Sequence, residues 1–333
     1  MSCSVLSTLR ALGPFQYVPN DGNLGDLLID VATRQLFDRW ALPVLSGPCG
    51  CVVYGGGGRF VPFYGSLDSL QAMLTDSRLV HCVILPHSFY RADDFLRSLD
   101  ERHTVFCRER RSLRYARSLN RRARFLPAHD MALHLHPVSL RRYTSGSWPS
   151  CVPADFTARL QAGIDASCCT LYASGHPLRC AFFPRSEQES ILPPGALSGA
   201  DLSLLWLGRG DGSVRQAGLI RALLEAFSTL DIVFSDRLHL CIAALFAGCR
   251  VGWLDNTYGK LSGVYHQSFS GHPRAFRVDS ETFVRLWPEL ARGACSLSDA
   301  EAVLRASSPL KTRGAVQHRC FFLPSGAYRP GQV

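Results

Sequence analysis

Short apolar runs alternate with amphipathic stretches along most of this chain, and that alternation limits the fold more than any other feature. Phe15–Val18 precedes a polar loop and a helical pattern over Asp26–Trp40, and Cys51–Tyr54 runs straight into four glycines, Gly55 to Gly58. Further strand patterns fall at Val80–Leu85, Thr104–Cys107 and Ala123–Leu126, the last two flanking an Arg-rich helical pattern. Beyond a Ser-, Pro- and Gly-rich stretch at 137–153 the alternation resumes. Strand patterns recur at Cys168–Tyr172, Cys180–Phe183, Leu202–Leu207, Asp231–Phe234 and Arg250–Leu254, with helical patterns over Val214–Ser228 and Asp236–Ala247. Strands alternating with helices predict parallel sheets covered on both faces. The chain therefore reads as α/β, two Rossmann-like lobes with parallel sheets spanning 1–145 and 146–333, joined by a linker within 137–153. An amphipathic helical tail over Ser280–Arg292 carries Phe283, Leu286, Trp287 and Leu290 on one stripe.

At 333 residues, with 47% hydrophobic and 19% charged side chains, the chain can bury two cores of ordinary size. No stretch approaches the roughly 18 uninterrupted apolar residues of a membrane span. The amino-terminal segment lacks the pattern of an export signal, so a cytoplasmic protein is expected. The thirteen cysteines are odd in number, and several lie in apolar runs, which favours reduced thiols. Cys49 with Cys51, and Cys168 with Cys169, lack zinc-site spacing, so no metal site and no cofactor are predicted.

The net charge of +9 suits anionic ligands or an acidic membrane face, and peripheral association with the inner face of the plasma membrane is compatible with it. All the basic residues but Lys260 and Lys311 are arginine. Their densest run, Arg108 to Arg124, is interleaved with Leu113, Tyr115, Ala116 and Leu119 at helical spacing. It reads as a solvated helix face, and no nucleic-acid-binding module accompanies it.

The most informative segment is Asp231 to Asn256. A β-rich run ends at Phe234, Ser235 is a good helix cap, and a short apolar helix follows with Gly248 at its end. Arg237 and His239 then fall at the helix mouth, at the carboxyl end of a parallel strand, where open α/β sheets bind ligands. Unpaired N–H groups and the positive end of the helix dipole favour an anion there. A guanidinium fork can grip a carboxylate or phosphate with two bonds, and an imidazole exchanges protons near neutral pH. The same positions admit a structural reading, in which Arg237 pairs with Asp236 or a sheet-edge carboxylate and His239 is a core residue.

Several segments together resemble the polysaccharide pyruvyl transferase family. They are Gly22-Asn23-Leu24-Gly25-Asp26, the glycine run Gly55–Gly58, Leu85-Pro86-His87-Ser88, Arg108-Glu109 with Ser112, Asp130-Met131-Ala132, Asp236-Arg237-Leu238-His239, and Leu254-Asp255-Asn256 with Lys260. They occur in the family's order over roughly residues 20 to 265. The resemblance implies a GT-B-like fold with the active site in the interlobe cleft, the first lobe on the acceptor side and the second holding phosphoenolpyruvate. It implies transfer of an enolpyruvyl-derived group to sugar hydroxyls as a pyruvate ketal, during synthesis of an exopolysaccharide or cell-surface polysaccharide. The acceptor sugar is lipid-linked, nucleotide-linked or an oligosaccharide; nucleic acid is not a partner. Arg237, Leu238 and His239 match the family's donor-binding segment, and Arg185 is the candidate for a second donor arginine.

In that scheme His239 is the general acid toward the donor methylene, and Asp26 or Asp130 the base for the sugar hydroxyl, although either carboxylate could equally cap a helix. Asn23, Gly56, Gly57 and Ser88 are candidate contacts on the acceptor side, with simple tight-turn packing the equal alternative for the glycines. Asp255, Asn256 and Lys260 either order the loop or touch the donor. Gly55–Gly58 has neither the GxGxxG register nor a Walker lysine, so dinucleotide and NTP binding are not indicated. Two rival readings share these features: a GT-B-type glycosyltransferase using a nucleotide sugar, and a non-catalytic basic scaffold at the inner membrane face.

Overall fold

The computed structural model describes residues 2–292 apart from 65–66, 174–175, 187, 193–196 and 198. The chain past residue 292 and Glu187 therefore lie outside the described residues. The chain divides into two compact units. The first takes in Met1–Cys151, Trp206–Ile220 and Gly263–Ser268; the second takes in Val152–Leu205, Arg221–Ser262 and Phe269–Val333.

In the first unit, strands β1 (Phe15–Val18), β3 (Val44–Leu45), β4 (Cys51–Tyr54), β5 (His81–His87), β6 (His103–Cys107) and β7 (Arg124–Pro127) form one sheet in the order β3-β1-β4-β5-β6-β7. Every pairing in it is parallel. Helices α1 (Ser2–Leu12), α2 (Leu24–Arg39), α3 (Asp68–Leu74), α4 (Asp93–Ser98), α5 (Arg110–Leu119) and α6 (Pro137–Thr144) complete it. From Cys82 onward β5 is buried at every position, as a parallel strand covered on both faces must be. Tyr54, Phe60, Phe89, Phe95 and Phe125 belong to the core on one side, where Phe60 stacks on Phe95 with ring centroids 4.3 Å apart. A separate antiparallel pair joins β2 (Asp21–Asn23) to β10 (Leu207–Arg209).

The second unit carries α7 (Ala154–Ser167), β8 (Cys168–Ala173), β9 (His176–Phe183), β11 (Ile232–Ser235), α9 (Leu238–Ala247), β12 (Arg250–Trp253), β13 (Ala275–Arg277) and α11 (Ser280–Ala291). Its sheet runs β13-β12-β11-β9-β8, and β8 is antiparallel to β9 while the rest are parallel. The amphipathic stripe predicted over 280–292 is α11, which lays Phe283 and Trp287 against Phe182 and Phe234. Two helices, α8 (Val214–Phe227) and α10 (Lys260–Ser268), contribute residues to both units.

The architecture is thus Rossmann-like α/β, with corrections to the sequence reading. The second sheet is mixed, because β8 folds back beside β9. The run Leu202–Leu207 is a 3-10 turn over Leu202–Leu205, and only Leu207 begins a strand. The stretch expected as linker holds α6, started by Pro137 at its first turn with His136 accepting from the Ser139 amide. No described helix is long and apolar enough to cross a membrane.

Candidate active site

In the second unit the predicted residues collect at the carboxyl ends of three neighbouring parallel strands. Arg185 lies two residues past β9, Arg237 two past β11, and Asp255 two past β12. The helix cap is Arg237 rather than Ser235. Ser235 is buried just before it, its hydroxyl accepting from the Arg237 amide at 3.0 Å and donating to the Phe183 carbonyl at 2.6 Å. Gly248 closes α9 in a left-handed conformation, φ 104°, as a glycine at a helix end can.

Three buried carboxylates organise this edge. Asp236 accepts the Arg185 amide at 2.6 Å and the Ser190 hydroxyl at 2.7 Å. Burial pushes its carboxyl above the usual range, against the pull of Ser190, Arg185 and Arg237. Glu189 gathers three donors on one oxygen: Arg185 Nη1 at 2.9 Å, Lys260 Nζ at 2.7 Å and Asn256 Nδ2 at 3.2 Å. Asp201 meets the Arg237 fork, with Nε at 3.0 Å from Oδ1 and Nη2 against Oδ2. Burial alone would raise the Asp201 carboxyl, but Arg237, the Ser186 amide and Ser203 outweigh it and hold it below the ordinary range.

Arg237 is only 3% exposed. The guanidinium predicted to grip a ligand dianion therefore grips a carboxylate of the chain itself, Asp201, in the loop before the Leu202–Leu205 turn, where the structural reading had named Asp236 or a sheet-edge carboxylate. Leu238 is buried, and His239 is half-buried in the first turn of α9. Asp255 accepts the Asn256 amide from its own loop and the Ser262 amide from the first turn of the helix over Lys260–Ser268. Asn256 and Lys260 turn toward Glu189, and Oδ1 of the Asn256 side chain accepts the Lys260 amide at 2.8 Å.

In the first unit the predicted residues are also brought together, again past the carboxyl ends of strands. Ser88, Arg108 and Asp130 follow β5, β6 and β7 and form one buried chain. Arg108 donates from Nε to Ser88 Oγ at 2.8 Å and from Nη1 to Asp130 Oδ2 at 2.7 Å. Ser88 donates onward to Glu109 at 3.0 Å, and Ser112 donates to the other oxygen of Glu109. Asp130 also receives the Ala132 amide at 2.9 Å, capping a 3-10 turn. It is 0% exposed, with one carboxylate oxygen on Arg108 and the other on the Ala132 amide, the capping role that its position also allowed. Asn23 caps α2, its side chain accepting the Gly25 amide at 2.8 Å, while Asp26 accepts the Asn23 amide at 3.1 Å. Asn20 adds a bond to Asp26 at 3.2 Å and accepts from Tyr54 at 2.6 Å.

Gly57 shows why a glycine run was needed. Its φ is 150°, and a Cβ there would lie 2.6 Å from Asn20 Nδ2 and 2.9 Å from Asp26 Oδ1. Gly56 packs against the Pro86 carbonyl and Met131. Gly56, Gly57 and Ser88 are thus buried within the strand-end cluster, in keeping with tight packing of the glycine run. A cavity of about 620 Å³ elsewhere in this unit is lined by Arg34, Arg39, His136 and Tyr143 among others, and by none of the predicted site residues.

No family model matches the chain. None of the curated proteins is a significant match either. Among solved structures, a functionally uncharacterized protein from Klebsiella pneumoniae is similar in fold, with a TM-score of 0.59 and 22% identity over 83% of this chain and 96% of that one. At that identity the likeness speaks to the fold alone.

Sequence reasoning missed Glu189 and Asp201, the carboxylates that hold the predicted cations. Glu189 stands four residues after Arg185, a spacing that favours pairing in a regular turn, but it lies in an irregular stretch that carries no periodic signal. Asp201 is 36 residues from Arg237, and nothing local marks the pair.

Proposed function

We propose that the chain is a transferase of the polysaccharide pyruvyl transferase type, taking its group from phosphoenolpyruvate and delivering it to sugar hydroxyls. The observation that carries this reading is the gathering of Arg185, Arg237, Asn256, Lys260 and His239 past three adjacent parallel strand ends, where α/β sheets take ligands. Support also comes from the buried chain Ser88–Arg108–Asp130, which joins three separate segments of the motif series. The GT-B-like architecture of that family belongs to the same proposal.

In this reading the donor carboxylate or phosphate exchanges with Asp201 on the Arg237 fork, one anion for another. Arg185 and Lys260, already clustered by Glu189, add positive potential that offsets the donor's charge. His239, at the helix mouth, delivers a proton to the methylene carbon of phosphoenolpyruvate, leaving C2 electrophilic. A sugar hydroxyl adds to C2 and gives up its proton. The C2–O bond to phosphate breaks. A second hydroxyl of the same sugar adds to C2 and closes the cyclic ketal, and its proton passes to the departing phosphate or back to the now neutral His239. Asp26, half-buried beside Asn20 and Asn23, and the fully buried Asp130 are the two candidates for accepting the hydroxyl proton.

The test is to incubate the protein with phosphoenolpyruvate and a panel of sugar acceptors without any nucleotide. The expected result is acceptor-dependent phosphate release, a product carrying one pyruvate ketal by mass spectrometry, and loss of both in His239→Ala. Transfer seen only from a nucleotide sugar would replace this reading with a glycosyltransferase.

A further inference from the structure

Residues 110–124 hold seven arginines and no Asp or Glu. Helix α5 buries Ser112 and Ala116, packs Leu113 and Leu119 on the core, and exposes Arg110, Arg111, Arg114 and Arg117. Arg110, Arg114 and Arg117 are spaced to share one helix face. Arg121 and Arg122 follow the helix and are exposed, and Arg124 is exposed on β7, the edge strand of its sheet. Arg117 ties the helix to that strand through the Phe125 carbonyl at 2.7 Å. Arg122 pairs with Glu101 at 3.0 Å, both side chains lying largely in solvent. Cations crowded this way repel one another, and outside anions relieve that repulsion.

The shape of the group says which anions. Its arginines spread along a ten-residue helix about 15 Å long and onto a strand edge, so they fit a surface bearing many phosphates rather than one small ligand. The apolar side chains of α5 pack inward, so nothing wedges into hydrocarbon or between bases. The single aromatic of the segment, Tyr115, is turned away from any stacking role, its hydroxyl donating to Asp93 and accepting the Ala92 amide.

We propose that the α5–β7 edge is a docking surface for an anionic phospholipid bilayer, held at headgroup level by guanidinium–phosphate pairs. The inference rests on this charge geometry and not on the transferase reading.

The test is co-sedimentation of the full chain with phosphatidylcholine vesicles, with and without about a third of phosphatidylglycerol. Binding is expected only with the anionic lipid, and is lost near about 1 M salt, where the screening length falls to about 3 Å. Arg110→Glu/Arg114→Glu/Arg117→Glu should weaken binding about a hundredfold, corresponding to about 1 kcal/mol for each guanidinium removed. The gentler Arg→Gln triple variant serves if charge reversal unfolds the chain. A control reversal at Arg142 and Arg215 should cost little. Equal loss in the control, retention of binding in both triple variants, no vesicle binding by the wild type, or tighter binding to duplex DNA or RNA than to vesicles would each overturn the proposal.

Discussion

Asp201 holds the guanidinium fork on which the proposed donor would dock. Its carboxylate already lies where a ligand anion would meet Arg237, and both side chains are almost fully buried. Removing one partner of a buried ion pair leaves an unmatched charge, at about 3–5 kcal/mol. Asp201→Asn should therefore lower the melting temperature, and added phosphoenolpyruvate should restore more stability to the variant than it gives the wild type. Melting that ignores the ligand would remove Arg237 from the donor site. The Asp201 carboxyl sits below its ordinary range, so its contribution is present above that range and is lost as pH falls through the folded value. His87 acts across a different window. Enclosed by Tyr54, Phe60 and Phe89, it is held by burial at a pKa of about 3, so the fold favours its neutral form. Stability should be full above about 6.5 and decline as pH drops toward 3, by up to about 1.4 kcal/mol per pH unit. His87→Phe should flatten that slope in denaturant titrations at about pH 5 to 7, above the range where ordinary carboxyls titrate.

At the scale of elements, the cap of α2 offers a clean separation of structure from chemistry. Asn23→Ala deletes the side-chain acceptor for the Gly25 amide and should cost about 1 kcal/mol of stability. If Asn23 also touches an acceptor sugar, turnover falls further than stability accounts for; matched losses would make it a cap alone. The central parallel strands were legible as continuous apolar runs between loops, as in β5, and the longer helices by their helical pattern, as in α2. Strands β3 and β13, of two and three residues, carry no period to read. The Leu202–Leu205 turn misleads because a short apolar run looks alike in a strand and a 3-10 helix. The direction of β8 was hidden as well, since it depends on pairing with β9 rather than on composition. In the candidate site, the cations were visible in Asp236-Arg237-Leu238-His239 and at Arg185. Their fate was not, because Glu189 and Asp201 reach them through tertiary contacts.

At the scale of the whole molecule, the first unit is not a continuous piece of chain. Its β2 pairs with β10, and Asp21 holds Arg209 at 2.7 Å, both from the segment Trp206–Ile220. A fragment ending at Cys151 keeps all six strands of the parallel sheet but loses these partners. It should unfold at lower denaturant and with a shallower transition than the first unit in the full chain, read by tryptophan fluorescence and hydrogen exchange at β2. A fragment as stable as the intact protein would show that the later segments are ornaments. The threading has a temporal side. During synthesis, residue 268 leaves the ribosome more than a hundred residues after Cys151, at roughly 5–20 residues per second. For something like ten seconds the newborn amino-terminal sheet waits with its last pieces still unmade, a window in which a chaperone has more to shield than in a protein whose lobes are translated one after the other.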